Sequence, residues 1–131
     1  MVSDIDIKDM MFNLLKGTSL VSSVTGKLSK RKRPANSDKE DVVISVLANE
    51  GNDIQRMFIN VNVYVKDDNI DGQNEENTTR LRELCSLSST LFESALFRSN
   101  HIYLYTQRVV EVSATGEHLI NNKLLYEVCN E

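Results

Sequence analysis

Five of the fifteen basic residues of the chain lie within seven consecutive positions. We call this stretch, residues 27–33, the basic segment; its cations are Lys27, Lys30, Arg31, Lys32 and Arg33. Such side chains bind phosphate and carboxylate groups, so the partner is either a nucleic acid or an acidic protein surface. No aromatic residue, the type that stacks on bases, is interleaved with them. If all five met phosphates, log K would fall with log[salt] at a slope of about −4.5.

A second stretch carries the opposite charge. Residues 67–76, which we call the acidic segment, contain Asp67, Asp68, Asp71, Glu75 and Glu76. Their spacing lacks the EF-hand pattern, which favours a solvated loop over a calcium site. Opposite charges favour a contact between the two segments, inside one subunit or head-to-tail between neighbours in a ring. For the basic segment, an inert loop and a nucleic-acid site remain the alternatives.

Histidine and cysteine form no catalytic or metal-binding pattern. His101 and His118 each begin a predicted strand, and neither HExxH nor CxxC spacing occurs. Cys85 falls on the apolar face of a predicted helix, which favours core packing over a nucleophilic role. The five glycines are isolated, so no phosphate-binding loop can be drawn through them. We expect no enzymatic activity, no cofactor and no metal ion.

Composition indicates one globular domain covering residues 1–131. The chain is 40% hydrophobic and 26% charged, with a formal net charge of −4. Its apolar runs are too short to span a membrane, and its amino terminus lacks the pattern of a signal peptide. The two cysteines are expected to be free thiols in a reducing compartment. We therefore expect a cytoplasmic location, or a particle assembled in a cytoplasm.

A short helix is predicted near the amino terminus. Its apolar residues recur at helical spacing: Ile7, Met10, Met11, Leu14 and Leu15. Asp4 or Asp6 is expected to cap its start, and Gly17 its end. The polar stretch that follows contains the only proline, Pro34, which predicts a loop or hairpin tip from Arg33 to Asp41.

Two strands are predicted next, at 41–48 and 55–66, paired as an antiparallel hairpin. In the second, Met57, Ile59, Val61, Val63 and Val65 alternate with polar or aromatic residues. Period-two alternation predicts that this apolar set faces the core. The opposite face then presents Asn60, Asn62 and Tyr64 to solvent or a partner.

The remainder predicts a long helix followed by strands. The helix is expected to be capped by Asn77 or Thr78 and to run to about Phe97. Residues 101–114 are expected to form one bent strand, or two that join near Gln107 and Arg108, and residues 118–128 the last strand. The whole predicts an α+β two-layer sandwich, with an antiparallel or mixed sheet and two helices packed on one face.

Several segments resemble the tail-terminator, or tail-completion, proteins of long-tailed bacteriophages. They are the amino-terminal helix leading into "VTGKLSKRKRPANSDKEDVVISVL", the strand "MFINVNVYVKDD", the helix "NTTRLRELCSLSSTLFESALF" and the closing "ATGEHLINNKLLYEV". The resemblance covers most of the chain, and it includes the order of the elements.

The resemblance implies a small α+β virion protein, assembled in the cytoplasm of a bacterial host. Such proteins form a hexameric ring that stops growth of the tail tube and joins it to the head connector. The expected partners are other copies of the chain, tail-tube proteins and head-connector proteins, with nucleic acid only as the passing genome and no membrane. The resemblance also implies neither cofactor nor catalysis. The alternative is a small nucleic-acid-binding regulator that uses residues 27–33.

The interface hypothesis joins these regions. Its residues are Lys27, Lys30, Arg31, Lys32 and Arg33 of the basic segment, Asp67, Asp68, Asp71, Glu75 and Glu76 of the acidic segment, and Asn60, Asn62 and Tyr64 of the strand.

Overall fold

Residues 1–130, which the computed structural model describes, form four α-helices and seven strands. The helices are α1 (Asp4–Leu15), α2 (Ser19–Ser23), α3 (Thr78–Phe92) and α4 (Ala95–Arg98). The strands are β1 (Leu28–Ser29), β2 (Val42–Glu50), β3 (Ile54–Lys66), β4 (Asp68–Ile70), β5 (Gln73–Glu75), β6 (Ile102–Val112) and β7 (Glu117–Cys129). One turn of 3₁₀-helix, Ser113–Thr115, joins β6 to β7.

Five of the strands form one mixed sheet in the order β1-β2-β3-β7-β6. Only β1 and β2 are parallel, and the other neighbours are antiparallel. Strands β3 and β7 pair along their whole length at its centre, while β4 and β5 form a separate two-stranded sheet. The predicted α+β fold with a mixed sheet is confirmed, although two short helices, α2 and α4, join the two that were expected.

The core lies between one face of this sheet and the helices. The apolar alternation predicted for β3 is confirmed, because Met57, Ile59, Val61, Val63 and Val65 are all buried. On the helix side of the core, α1 contributes Ile7, Met11 and Leu15, and α3 contributes Leu81, Leu84 and Phe92. We call the opposite side of the sheet the open face; it carries the intervening β3 residues, including Asn60 and Asn62.

Helix α1 begins with a capping box. Ser3 Oγ accepts a hydrogen bond from the Asp6 amide at 3.0 Å, and Asp6 Oδ2 accepts one from the Ser3 amide at 3.1 Å. The expected cap at Asp4 or Asp6 is therefore wrong: Ser3 is the N-cap, and Asp6 is its reciprocal partner. The expected stop is confirmed, since Gly17 adopts a φ of 83° directly after the helix.

Helix α3 ends at Phe92, five residues before the predicted Phe97. Ser94 is extended, with ψ at 162°, and starts the separate turn α4. A continuous helix would place Phe92 and Phe97 about 140° apart around its axis, so both could not face the sheet. The break lets both rings be buried, and they pack edge-to-face with centroids 5.0 Å apart.

Strand β6 is a single strand. Its irregularity lies at Tyr105, between Leu104 and Thr106, rather than at the expected join near Gln107 and Arg108. An extra residue of this kind is a β-bulge, which bends a strand without ending its pairing.

Candidate functional site

The basic segment contains β1, the strand at one edge of the sheet. Ser29 Oγ donates to the Lys32 carbonyl at 2.7 Å, which closes a turn around Lys30 and Arg31. Lys30 Nζ lies 2.8 Å from Asp9 Oδ1 on α1 and 5.1 Å from the centre of the Phe12 ring. The other exposed cations of the segment form no ion pair within residues 1–130; they are Lys27, Arg31 and Lys32.

Arg33 differs from these exposed cations because its guanidinium lies against the open face of the sheet. Its Nε donates to Asp41 Oδ2 at 2.8 Å, and its Nη1 and Nη2 donate to the two carboxylate oxygens of Glu117 at 2.8 and 2.5 Å. The guanidinium carbon sits 4.1 Å from the centre of the Tyr64 ring. Two members of the predicted interface, Arg33 and Tyr64, are therefore engaged inside the chain.

Both carboxylates of this Arg33 cluster are nearly excluded from solvent, with side-chain exposures of 1% for Asp41 and 3% for Glu117. The hydrogen bond from Arg33 lowers the pKa of Glu117 despite its burial. Burial raises the pKa of Asp41, but hydrogen bonds from Ser37, Arg33 and the Lys27 amide outweigh it, so this pKa also lies below its ordinary value. The Glu117 hydrogen bond in turn raises the pKa of Arg33. The cluster is thus a fully charged, buried structural element.

Acid is expected to weaken the fold through these two groups. Their ordinary pKa values are about 3.9 for aspartate and 4.3 for glutamate, and both are lowered in the folded chain. Between the lowered and ordinary values the unfolded chain binds more protons, so falling pH favours unfolding. The contribution is complete above the ordinary values and is lost as the pH falls through the lowered ones.

Urea titrations at pH 7 and pH 3 measure this loss. The variant Glu117→Gln, which keeps the side-chain size but cannot titrate, is expected to lose less free energy of unfolding between these pH values than the wild type. An equal or larger loss in the variant would contradict a role for Glu117 in the acid response.

The acidic segment, expected as a loop, is a small hairpin formed by β4 and β5. Asp71 and Gly72 at its tip have φ values of 51° and 80°, as a two-residue type I′ turn requires. Asp68, Asp71, Glu75 and Glu76 are exposed and form no ion pair within residues 1–130. We call this element the acidic hairpin. Hydrogen bonding across the turn explains why a polar, glycine-containing stretch is ordered into strands.

Asp67 differs from the other acids because it anchors the base of the hairpin. Its side chain is only 4% exposed, and Oδ1 lies 2.5 Å from His118 Nδ1 on β7. A carboxylate accepts hydrogen bonds, so Nδ1 is the donor in this contact. The Asp67 amide also donates to the Gly116 carbonyl at 3.0 Å. Asp67 therefore forms its contact within the chain rather than with a partner. The position of His118 at the start of a predicted strand did not indicate this contact.

Asn60 and Asn62 lie on the open face, as predicted. Asn121 of β7 donates through Nδ2 to Asn60 Oδ1 at 3.0 Å and to Asn62 Oδ1 at 2.7 Å. All three residues remain partly exposed. They form a short row of linked amides with further donors available to a partner.

An aromatic patch lies on the same face and was missed at the sequence level. It consists of Phe58, Tyr103 and Tyr105, with the Phe58 and Tyr105 rings edge-to-face at 5.2 Å. Tyr105 is 59% exposed at the β6 bulge. Exposed aromatic residues are enriched in protein interfaces. The spacing of Tyr103 and Tyr105 at alternate positions was the usable signal.

The remaining reactive groups have structural surroundings. Cys85 packs beside the core, and burial raises the pKa of its thiol, which disfavours the thiolate. Cys85 and Cys129 are both free. Within the described residues 1–130, no group of three or more histidine, cysteine or acidic side chains is placed to hold a metal ion. Over the same range, no helix combines the length and apolar character needed to cross a bilayer.

No protein-family model matches this chain, and no curated protein sequence matches it. Function is therefore inferred from the residues and their geometry.

Proposed function

We propose that this chain is a structural virion protein that self-associates into a ring, terminates the tail tube of a long-tailed phage and joins it to the head connector. Its role is steric and electrostatic. The small α+β sandwich is the fold that the resemblance to tail-terminator proteins implies.

One observation carries the proposal: two oppositely charged segments of one chain leave their exposed charges without intrachain partners. Within residues 1–130, three cations of the basic segment form no ion pair: Lys27, Arg31 and Lys32. The same holds for four acids of the acidic segment: Asp68, Asp71, Glu75 and Glu76. A positive element that meets the negative element of the next copy makes a head-to-tail contact, which closes into a ring when the rotation permits.

The open face supports docking to a second kind of protein. It places the amide row of Asn60, Asn62 and Asn121 beside the aromatic patch on an uncovered sheet surface. Hydrogen-bonding groups next to aromatic anchors are the usual composition of a protein interface. We assign this surface to the tail-tube or connector protein.

Mass measurement by light scattering after size exclusion tests the ring. The expected particle has about six times the chain mass of 14.9 kDa. A particle of one chain mass at every concentration tested would contradict the ring.

A DNA-binding measurement tests the alternative, that the chain is a small nucleic-acid-binding regulator. Because Arg33 is occupied, at most four cations of the basic segment are available to phosphates, so log K would fall with log[salt] at a slope of about −3.6. A monomer that binds DNA with this slope would replace the ring proposal with the regulator.

A further inference from the structure

A groove runs between helix α1 and the basic segment. Ile5, Lys8 and Asp9 line it on the helix side, and residues 29–32 line it on the other, around a volume of about 920 Å³. Helix α1 thus adds a second wall to the basic segment, with a further cation and an exposed apolar side chain.

The groove has a net positive charge and a defined shape. The ion pair between Lys30 and Asp9 joins its two walls, and the Ser29–Lys32 hydrogen bond fixes the turn that forms one of them. Three cations at the groove then remain without an ion-pair partner in residues 1–130; they are Lys8, Arg31 and Lys32. Ile5 lies among them with 64% of its surface exposed.

The acidic hairpin has the complementary features. Its carboxylates at Asp68, Asp71 and Glu75 are exposed, and between them Ile70 is 49% exposed. A two-stranded hairpin of this length has marginal stability alone, and here its base is held by Asp67 and His118 while its tip projects. A partner that covers Ile70 would stabilise the tip.

We propose that the acidic hairpin of a second copy docks in the α1 groove. Asp68, Asp71 and Glu75 meet Lys8, Arg31 and Lys32, and Ile70 packs against Ile5. The proposal rests on the self-association proposed above, and it names the contact through which copies join. Each copy offers one groove and one hairpin, so the contact repeats head-to-tail.

A second copy fits this groove better than a nucleic acid does. The groove contains a carboxylate, Asp9, and an apolar residue, Ile5, neither of which a phosphate backbone uses. The chain as a whole carries a net charge of −4, which opposes the approach of a long polyanion. A short hairpin brings its negative charge only to the positive groove.

Charge reversal with rescue tests the contact in the full chain. The groove variant is Lys8→Glu, Arg31→Glu and Lys32→Glu, and the hairpin variant is Asp68→Lys, Asp71→Lys and Glu75→Lys. Each alone is expected to weaken association at least about 100-fold, because like charges then face each other at every contact. An equimolar mixture is expected to recover assembly, because each groove again meets a hairpin of opposite charge.

The matched control reverses three exposed cations elsewhere: Lys16→Glu, Arg82→Glu and Arg98→Glu. It is expected to assemble like the wild type, and thermal unfolding verifies that all variants fold. A wild-type ring that persists unchanged in the groove variant overturns the docking contact and leaves the ring standing. A wild type that stays monomeric overturns the ring as well. Loss of DNA binding in the groove variant, without a change in mass, assigns the groove to a nucleic acid and overturns the proposal.

Discussion

Replacement of Arg33 by methionine is expected to lower the free energy of unfolding by about 3–5 kcal/mol. The guanidinium is the shared partner of Asp41 and Glu117, whose side chains are 1% and 3% exposed. Removing it leaves two carboxylates that are buried, close together and without a cation. The desolvation penalty then remains while the attraction that offset it is lost.

Urea unfolding at pH 7 and one fixed protein concentration measures the effect. The matched control is Arg82→Met, at an exposed arginine of α3 that forms no ion pair within residues 1–130 and lies outside the proposed contact, and it is expected to change the free energy by less than about 0.5 kcal/mol. A triple variant that adds Asp41→Asn and Glu117→Gln to Arg33→Met is expected to recover part of the loss, because no buried charge is left. Equal effects of Arg33→Met and Arg82→Met would contradict the buried cluster.

Phe97→Ala is expected to cost about 3–5 kcal/mol, the usual range for removing a buried phenylalanine ring. Phe97 is fully buried and packs edge-to-face on Phe92, an arrangement that the break between α3 and α4 allows. Without the ring, the short helix α4 loses its only buried side chain. The same urea titration measures the change.

Leu96→Ala is the control for this substitution, because Leu96 is the neighbouring apolar residue in α4 and is 43% exposed. It is expected to change the free energy by less than about 0.5 kcal/mol. If Leu96→Ala lowered the free energy of unfolding more than Phe97→Ala, Leu96 rather than Phe97 would be the buried residue of α4, which would contradict the described packing.

Local patterns predicted the elements whose residues interact over short distances. The alternation in β3 and the cap of α3 needed only neighbouring residues. The alternation is confirmed, and of the two predicted caps, Asn77 and Thr78, the structure uses Asn77. The predicted end of α3 was wrong because the helix was extended to Phe97, although Phe92 and Phe97 cannot both face the core on one continuous helix. Strand β1 was missed because two residues carry no alternation; they pair only because β2 lies beside them.

Only the part of the candidate site that depends on local patterns was predicted. Composition identified the two charged segments, and alternation placed Asn60 and Asn62 on the open face. The pairing of Arg33 with Glu117 joins positions that are far apart in sequence, so the charge run alone could not separate this cation from its exposed neighbours. Ile5 and Lys8 were not assigned to the groove because only packing brings α1 beside the basic segment.

The position of β7 between β3 and β6 inside the sheet has a consequence for synthesis of the protein. Its partners on β3 are distant along the chain, from Lys66 with Glu117 to Ile54 with Cys129. During synthesis, β3 can pair with β2 along one edge, but its other edge stays unpaired until residues 117–129 leave the ribosome. Non-local pairing of this kind slows folding, and an unpaired apolar strand edge invites aggregation. Nascent chains arrested before residue 117 are therefore expected to aggregate more readily than chains that include β7.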